Sequence, residues 1–171
     1  YQYYISEKNK QIVGMNKGAV AKEDLPAATQ LFTPRWIVQY MLENSLGRLW
    51  QSAHPESTLS TSWSYYLFRN QRLSPTKVDI EKLKILDPAC GSGHILVYAF
   101  DLLYSMYEEM GYSAHSIPEI IGRNNLFGLD FDLRATQLAM LALGMKVRER
   151  DCRFLDGNVV PNILGFNKRA V

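Results

Sequence analysis

Only two of the 171 residues are cysteines, Cys90 and Cys152. That excludes a disulfide framework and any cysteine-rich zinc site, and it suits a reducing cytoplasm. No apolar run approaches the ~20 residues that a membrane-spanning helix requires. The start, YQYYISEKNK, is aromatic and polar and lacks the pattern of a signal peptide. The three histidines, His54, His94 and His115, lie far apart with no carboxylate or cysteine at ligand spacing, so no metal centre is expected. Neither sign of charge dominates: 19 Lys and Arg against 17 Asp and Glu leave +2. Bulk charge therefore neither demands nor excludes a nucleic-acid partner. Internal repeats and low-complexity tracts are absent. What is there is an ordinary globular composition, 47% apolar and 21% charged, long enough for one domain with a sizeable core. Both ends read as cut, so a fragment of a longer protein is expected.

The chain reads as helices first and alternating strands and helices after. Residues 1–12 resemble the tail of a helix, and KEDLPAATQLF (22–32) a short one. Thr33 is a good N-cap and Pro34 a good first residue for a helix from 34 to about 50. Residues 51–82 are mixed: QSAHPESTLSTS is loop-like, and WSYYLFRNQR has helical character. KILD (84–87) is a short buried strand. A helix follows from Gly93 to Met110, with Ile95, Ala99, Leu102, Leu103, Met106 and Met110 on one stripe and Gly111 as its C-cap. Ser116 opens a short helix over 116–125, and LFGLD (126–130) is the second strand. The helix over 132–150 carries LAMLALGM, apolar all round, so its middle is expected to be buried. A third strand falls around 159–164. This order predicts an α/β fold: a partial, Rossmann-like parallel sheet with N-terminal helices.

The informative stretch is Asp87-Pro88-Ala89-Cys90-Gly91-Ser92-Gly93, at the turn from the first strand into its helix. Gly91 and Gly93 allow a sharp bend and close approach of a ligand, and the first amides of the helix add partial positive charge. Asp130 is expected at the same height, at the end of the second strand, where it can accept both hydroxyl protons of a ribose. A dinucleotide fingerprint would need a third glycine where Leu96 stands, and a P-loop would need Gly-Lys-Ser/Thr. Instead an acid precedes the glycines. An acid repels phosphate and attracts a cation, which favours a ligand with a ribose, an ammonium and a sulfonium: S-adenosyl-L-methionine.

The same residues resemble the N6-adenine DNA methyltransferases shared by type I and fused type II restriction–modification systems. Asp87 to Gly93 looks like their first motif. Phe32-Thr33-Pro34-Arg35 resembles the motif before it, in which a Thr-Pro caps a helix over the methionine end of the cofactor. Gly128-Leu129-Asp130-Phe131-Asp132 resembles the second, in which the acid binds the ribose and the next apolar residue packs on the adenine. The wording of residues 28–50 and 87–103 is similar to the large single-chain methyltransferases of BREX-type phage defence. The resemblance implies a class I methyltransferase fold, with residues 1–32 in a larger helical domain and 33–171 as the first part of the methyltransferase domain. It further implies S-adenosyl-L-methionine as cofactor and double-stranded DNA as substrate of the full-length protein, its adenine flipped out of the stack. Restriction or phage-defence subunits would be further partners.

The Asn/Asp-Pro-Pro-Tyr/Phe motif of this family, which holds the target adenine, is absent. The chain is therefore expected to bind cofactor without methylating, and no catalytic residue is assigned within it. Asp156, in RFLDGN, is the candidate for a third motif touching the adenine N6 amine; a solvated loop acid is the plainer reading. Cys90 is read as small apolar packing rather than a nucleophile. Two other functions stay open: the same fold acting on a protein glutamine or an RNA base, and a non-catalytic cofactor-binding module.

Overall fold

The computed structural model describes residue 7 and residues 33–68, 77–150 and 161–166. The chain forms two compact units, Tyr1–Pro34 and Arg35–Val171. Of the first, the described residues are Glu7, helical and exposed, and Thr33 and Pro34, both exposed and outside any helix. The other expectations for residues 1–32 lie outside the described residues.

The second unit begins with α1 (Arg35–Leu42), a π-helical turn (Glu43–Gly47) and α2 (Arg48–Ala53). Leu42, Gly47 and Arg48 all keep right-handed helical dihedrals, so the three run on without a break. This helix starts one residue after Pro34 and continues past the expected end near 50. Its wide turn has an identifiable cause. Glu43 faces inward and is fully buried, where one carboxylate oxygen accepts the Tyr98 hydroxyl at 2.6 Å and the other the Tyr65 N–H at 2.6 Å. Asn44 accepts the Leu67 N–H at 2.9 Å and donates to the Tyr65 carbonyl at 2.8 Å. These bonds occupy the backbone of residues 65–67. That explains why the segment expected to be helical is not helical over its described residues 63–68, which follow a 3-10 turn at Leu59–Ser62.

Three parallel strands form one sheet: β1 (Ile85–Asp87), β2 (Leu126–Asp130) and β3 (Asn162–Gly165), with β2 in the centre. Asp87 pairs with Gly128, and Gly128 with Ile163. Period-2 alternation then puts Ile85, Asp87, Leu126, Gly128 and Ile163 on one face. That face packs on α3 (His94–Glu109) and α5 (Leu133–Arg150). A Cβ on Gly128 would meet Leu96 at 2.9 Å, Cys90 at 3.1 Å and Ile163 at 3.3 Å, so this glycine lets the corner and α3 sit on the sheet. The opposite face carries Leu86, Phe127, Leu129 and Leu164, of which Leu86 and Leu164 are exposed. Parallel sheets are normally covered on both faces; among the described residues the helices α3 and α5 cover one.

α3 ends as expected. Gly111 takes a left-handed φ of 82°, its N–H reaches the Glu108 carbonyl at 2.9 Å, and the Tyr112 N–H reaches that of Tyr107 at 3.1 Å. This is a Schellman closure. More of α3 is buried than its predicted stripe, since Phe100, Tyr104 and Tyr107 also enter the core while Met110 is exposed. The helix expected over 116–125 is α4 (Ile117–Ile120) followed by a π-helical turn, Ile121–Asn125. Ser116 does not cap it; its hydroxyl donates to the Ser113 carbonyl at 2.9 Å. Asn125 is fully buried and donates to the carbonyls of Ile80 and Leu83, each at 2.7 Å, which fixes the approach to β1. The middle of α5 is not buried all round: Leu141 is 59% and Met145 65% exposed. Ala135, Ala139, Leu143 and Val147 make the contact, and one face of a helix is all a single sheet layer can cover. No described helix is long and apolar enough to cross a membrane.

Candidate functional site

The site is built where β1 stops being a strand. Asp87 is its last residue, 8% exposed. One oxygen of its carboxylate accepts the Ala89 N–H at 3.2 Å, a side-chain-to-backbone turn that bends the chain at Pro88. The other oxygen is buried and has no hydrogen-bond partner. The backbone then climbs beside β2. The Cys90 N–H donates to the Leu129 carbonyl at 2.9 Å, and the Gly91 N–H to the Asp130 carboxylate at 2.8 Å. The Gly93 N–H returns to the Cys90 carbonyl at 2.8 Å, and the Gly93 carbonyl accepts from Val97 at 2.9 Å to start α3. Gly91 and Gly93 have φ of 52° and 85°, values that residues with a Cβ rarely adopt.

Asp130 departs from expectation in two ways. Register places it two residues beyond the level of Asp87, about 6.6 Å further along the sheet, so the two acids are not at one height. Both its oxygens are also already engaged, one by Gly91 and the other by the Asp132 N–H at 2.8 Å. Each carboxylate oxygen retains a further lone pair. Asp130 can thus brace the corner and still accept outside hydroxyls.

Burial pushes the Asp87 carboxyl above the usual carboxylate range; the Ala89 N–H opposes this and the Asp130 charge adds to it. The folded state therefore holds this proton more tightly than the unfolded chain. The contribution favours folding at low pH and is lost as pH rises through the raised value. We expect Asp87→Asn to remove that loss: as pH rises from the ordinary carboxylate range through the raised value, wild-type stability should fall relative to the variant in urea titrations. Parallel pH profiles would sink the assignment. The Cys90 thiol is buried, and desolvation, followed by the charges of Asp87 and Asp130, pushes it up to about 12. It packs against the sheet, as read from the sequence, and is no nucleophile.

The corner thus brings together Asp87, Pro88, Ala89, Cys90, Gly91, Ser92, Gly93 and Asp130. Pro88 and Ala89 are exposed, and Ser92 is half-buried. Phe131 follows directly, with its ring in solvent. Thr33 and Pro34 belong to the other compact unit. Phe32 and Asp156 lie outside the described residues. Phe166 follows β3 as Phe131 follows β2, and the two ring centroids lie 5.1 Å apart.

Residues 63–159 match a family model described as MmeI, DNA-methyltransferase domain. The chain belongs to this family. The chain is also 44% identical to the adenine-specific methyltransferase BrxX of Escherichia coli O9:H4 (strain HS), over 98% of this chain and 14% of that protein. It is 40% identical to the adenine-specific methyltransferase PglX of Lacticaseibacillus casei (strain Zhang), over 95% of this chain and 15% of that one. Among solved structures, a nuclease-deletion mutant of the Type ISP restriction-modification enzyme LlaGI, in complex with a DNA substrate mimic, aligns with a TM-score of 0.50 at 17% identity. That alignment covers 82% of this chain and 10% of the other, and it supports the partial Rossmann-like fold expected from the motifs. The chain spans about one seventh of the length of the curated relatives it matches.

Proposed function

We propose that this chain is the S-adenosyl-L-methionine-binding part of a DNA adenine-N6 methyltransferase acting in restriction–modification or phage defence. The observation that carries the cofactor reading is the unpartnered, buried oxygen of Asp87 beneath a bare glycine corner. A buried acceptor without a donor is unfavourable by about 1–3 kcal/mol, and a cationic ammonium offers both a donor and a countercharge. The residues present therefore fit the cofactor. Phosphate would add a further negative charge beside Asp87 and Asp130, which is why a dinucleotide fits poorly.

When bound, the cofactor supplies an electrophilic methyl group on a sulfonium. The chain's own residues position it. Asp87 holds the methionine end, Asp130 accepts the ribose hydroxyls, and Phe131 packs on the purine. For Phe32, Thr33 and Pro34 the support is the sequence motif alone. Residues 1–32 are assigned to a larger helical domain and 33–171 to the first part of the methyltransferase domain. The chain lacks the Asn/Asp-Pro-Pro-Tyr/Phe motif, so the side that holds the target adenine is assigned to other parts of the longer protein. Methylation itself is then a matter of positioning and electrostatics at an in-line displacement.

The test is methyl transfer from radiolabelled S-adenosyl-L-methionine by the full-length protein on duplex DNA. N6-methyladenine is the expected product, and the 171-residue chain alone should give none. Label appearing in RNA or in protein glutamine, with none in DNA, would move the substrate assignment. Turnover by the chain alone would show that its catalytic residues have been misplaced.

A further inference from the structure

The helix that opens the second unit is tied to α3 by a buried acid. Glu43 is fully buried, and its two oxygens accept the Tyr98 hydroxyl and the Tyr65 N–H, each at 2.6 Å. Burial, followed by the hydrogen bond to Glu43, raises the Tyr98 phenol, so it remains a donor at neutral pH. A second tie lies further along, where the Trp50 indole N–H donates to the Glu109 carboxylate at 2.9 Å. The order is the same in both helices, 43 with 98 and then 50 with 109, so α1 and α2 run in the direction of α3. Around these bonds α1 and α2 present apolar side chains, with Val38, Leu42 and Leu46 buried. Apolar contact is non-directional and lets one helix slide along another. A buried hydrogen bond fixes the position along the axis.

The pair fixes how far α1 extends. Arg35, the first residue of α1, precedes Glu43 by about 12 Å of helix at 1.5 Å per residue, whereas Gly93, just before α3, precedes Tyr98 by about 7.5 Å. The start of α1 therefore reaches past the start of α3, to the level of the glycine corner. It does so on one flank. α5 packs on α3, β2 and β3, which fills the flank toward β3; α1 packs on α3 and takes the other, toward β1 and Asp87. We infer that Glu43 and Tyr98 are positioning residues: their bond sets the reach of α1 beside Asp87, and with it the shape of the site where the amino-acid part of the cofactor is held. This rests on the cofactor reading above. The adenosine part, assigned to Asp130 at the tip of β2, lies on the far side of Asp87 from α1 and is not governed by the pair.

Calorimetry on the full-length protein tests this with S-adenosylhomocysteine and with 5′-methylthioadenosine, which keeps the adenosine and lacks the amino-acid part; displacement titrations read the weaker compound. Tyr98→Phe keeps the ring and deletes the donor. It should weaken S-adenosylhomocysteine by about tenfold and 5′-methylthioadenosine by less than about twofold. Glu43→Leu should do the same. Glu43→Gln should stay within about threefold of wild type on both, because its amide oxygen can accept the Tyr65 N–H while its NH2 donates to the Tyr98 oxygen. A role in stability alone would lower the two affinities together or leave both unchanged, and either result would overturn the inference. Tyr98→Phe gives that answer by itself if Glu43→Leu does not fold. If wild type binds neither compound, it is the cofactor reading that fails, and the positioning role falls with it.

Discussion

Gly93→Ala is expected to destabilise the second unit by about 2–4 kcal/mol, through two separate effects of one methyl group. The first is conformational. At φ of 85° an alanine is held in the left-handed region, where its Cβ crowds the following carbonyl. The second is steric. A Cβ at this position would stand 3.0 Å from the Cβ of Ala139 and 3.1 Å from its Cα. Ala139 is fully buried on α5, and its backbone cannot give way as the end of a long side chain could. The start of α3 and the middle of α5 must therefore separate, which also opens the corner. Urea denaturation should show a lower midpoint at unchanged slope, and cofactor affinity should fall with it. A midpoint within error of wild type would show that the corner tolerates a side chain. The close packing of α3 on α5 would then need another explanation.

Asp130→Ala should reduce cofactor affinity by about a hundredfold or more in calorimetry, since two charge-assisted bonds to ribose hydroxyls contribute about 1.5–3 kcal/mol each. The variant also leaves the Gly91 and Asp132 N–H groups without their acceptor. Asp130→Asn keeps one oxygen for Gly91 while giving up the charge, so it should fall between wild type and alanine. A 2′,3′-dideoxy form of the ligand separates the two roles. Wild type binding that form as tightly as the parent compound would mean that Asp130 acts only through the shape of the corner, and the ribose assignment would be withdrawn.

Much of the site could be read from the chain because its determinants are local. An acid, a proline and two spaced glycines between a short apolar run and an amphipathic stretch define a strand–corner–helix unit by themselves. What failed depended on partners distant in sequence. Asp130 was placed level with Asp87 because register is set by the pairing of the two strands, Asp87 with Gly128, and not by either strand alone. The π-helical turn at Glu43 answers to Tyr65 and Tyr98, 22 and 55 residues away, and no periodicity announces that. Leu141 and Met145 were expected inside because an apolar run says nothing about how many neighbours are available to cover it. The third strand runs over Asn162–Gly165, later than the span read around 159–164.

The Cys90 thiol has a consequence for conditions in which a cell is under chemical attack. Thiolates, not thiols, react with peroxide, and a group held up at about 12 presents almost none at neutral pH. A burst of oxidant that disables enzymes with exposed sulfur would leave this corner unmodified. In place of a sensor the fold has put an insulated atom, and the fit between corner and sheet does not change with the redox state around it.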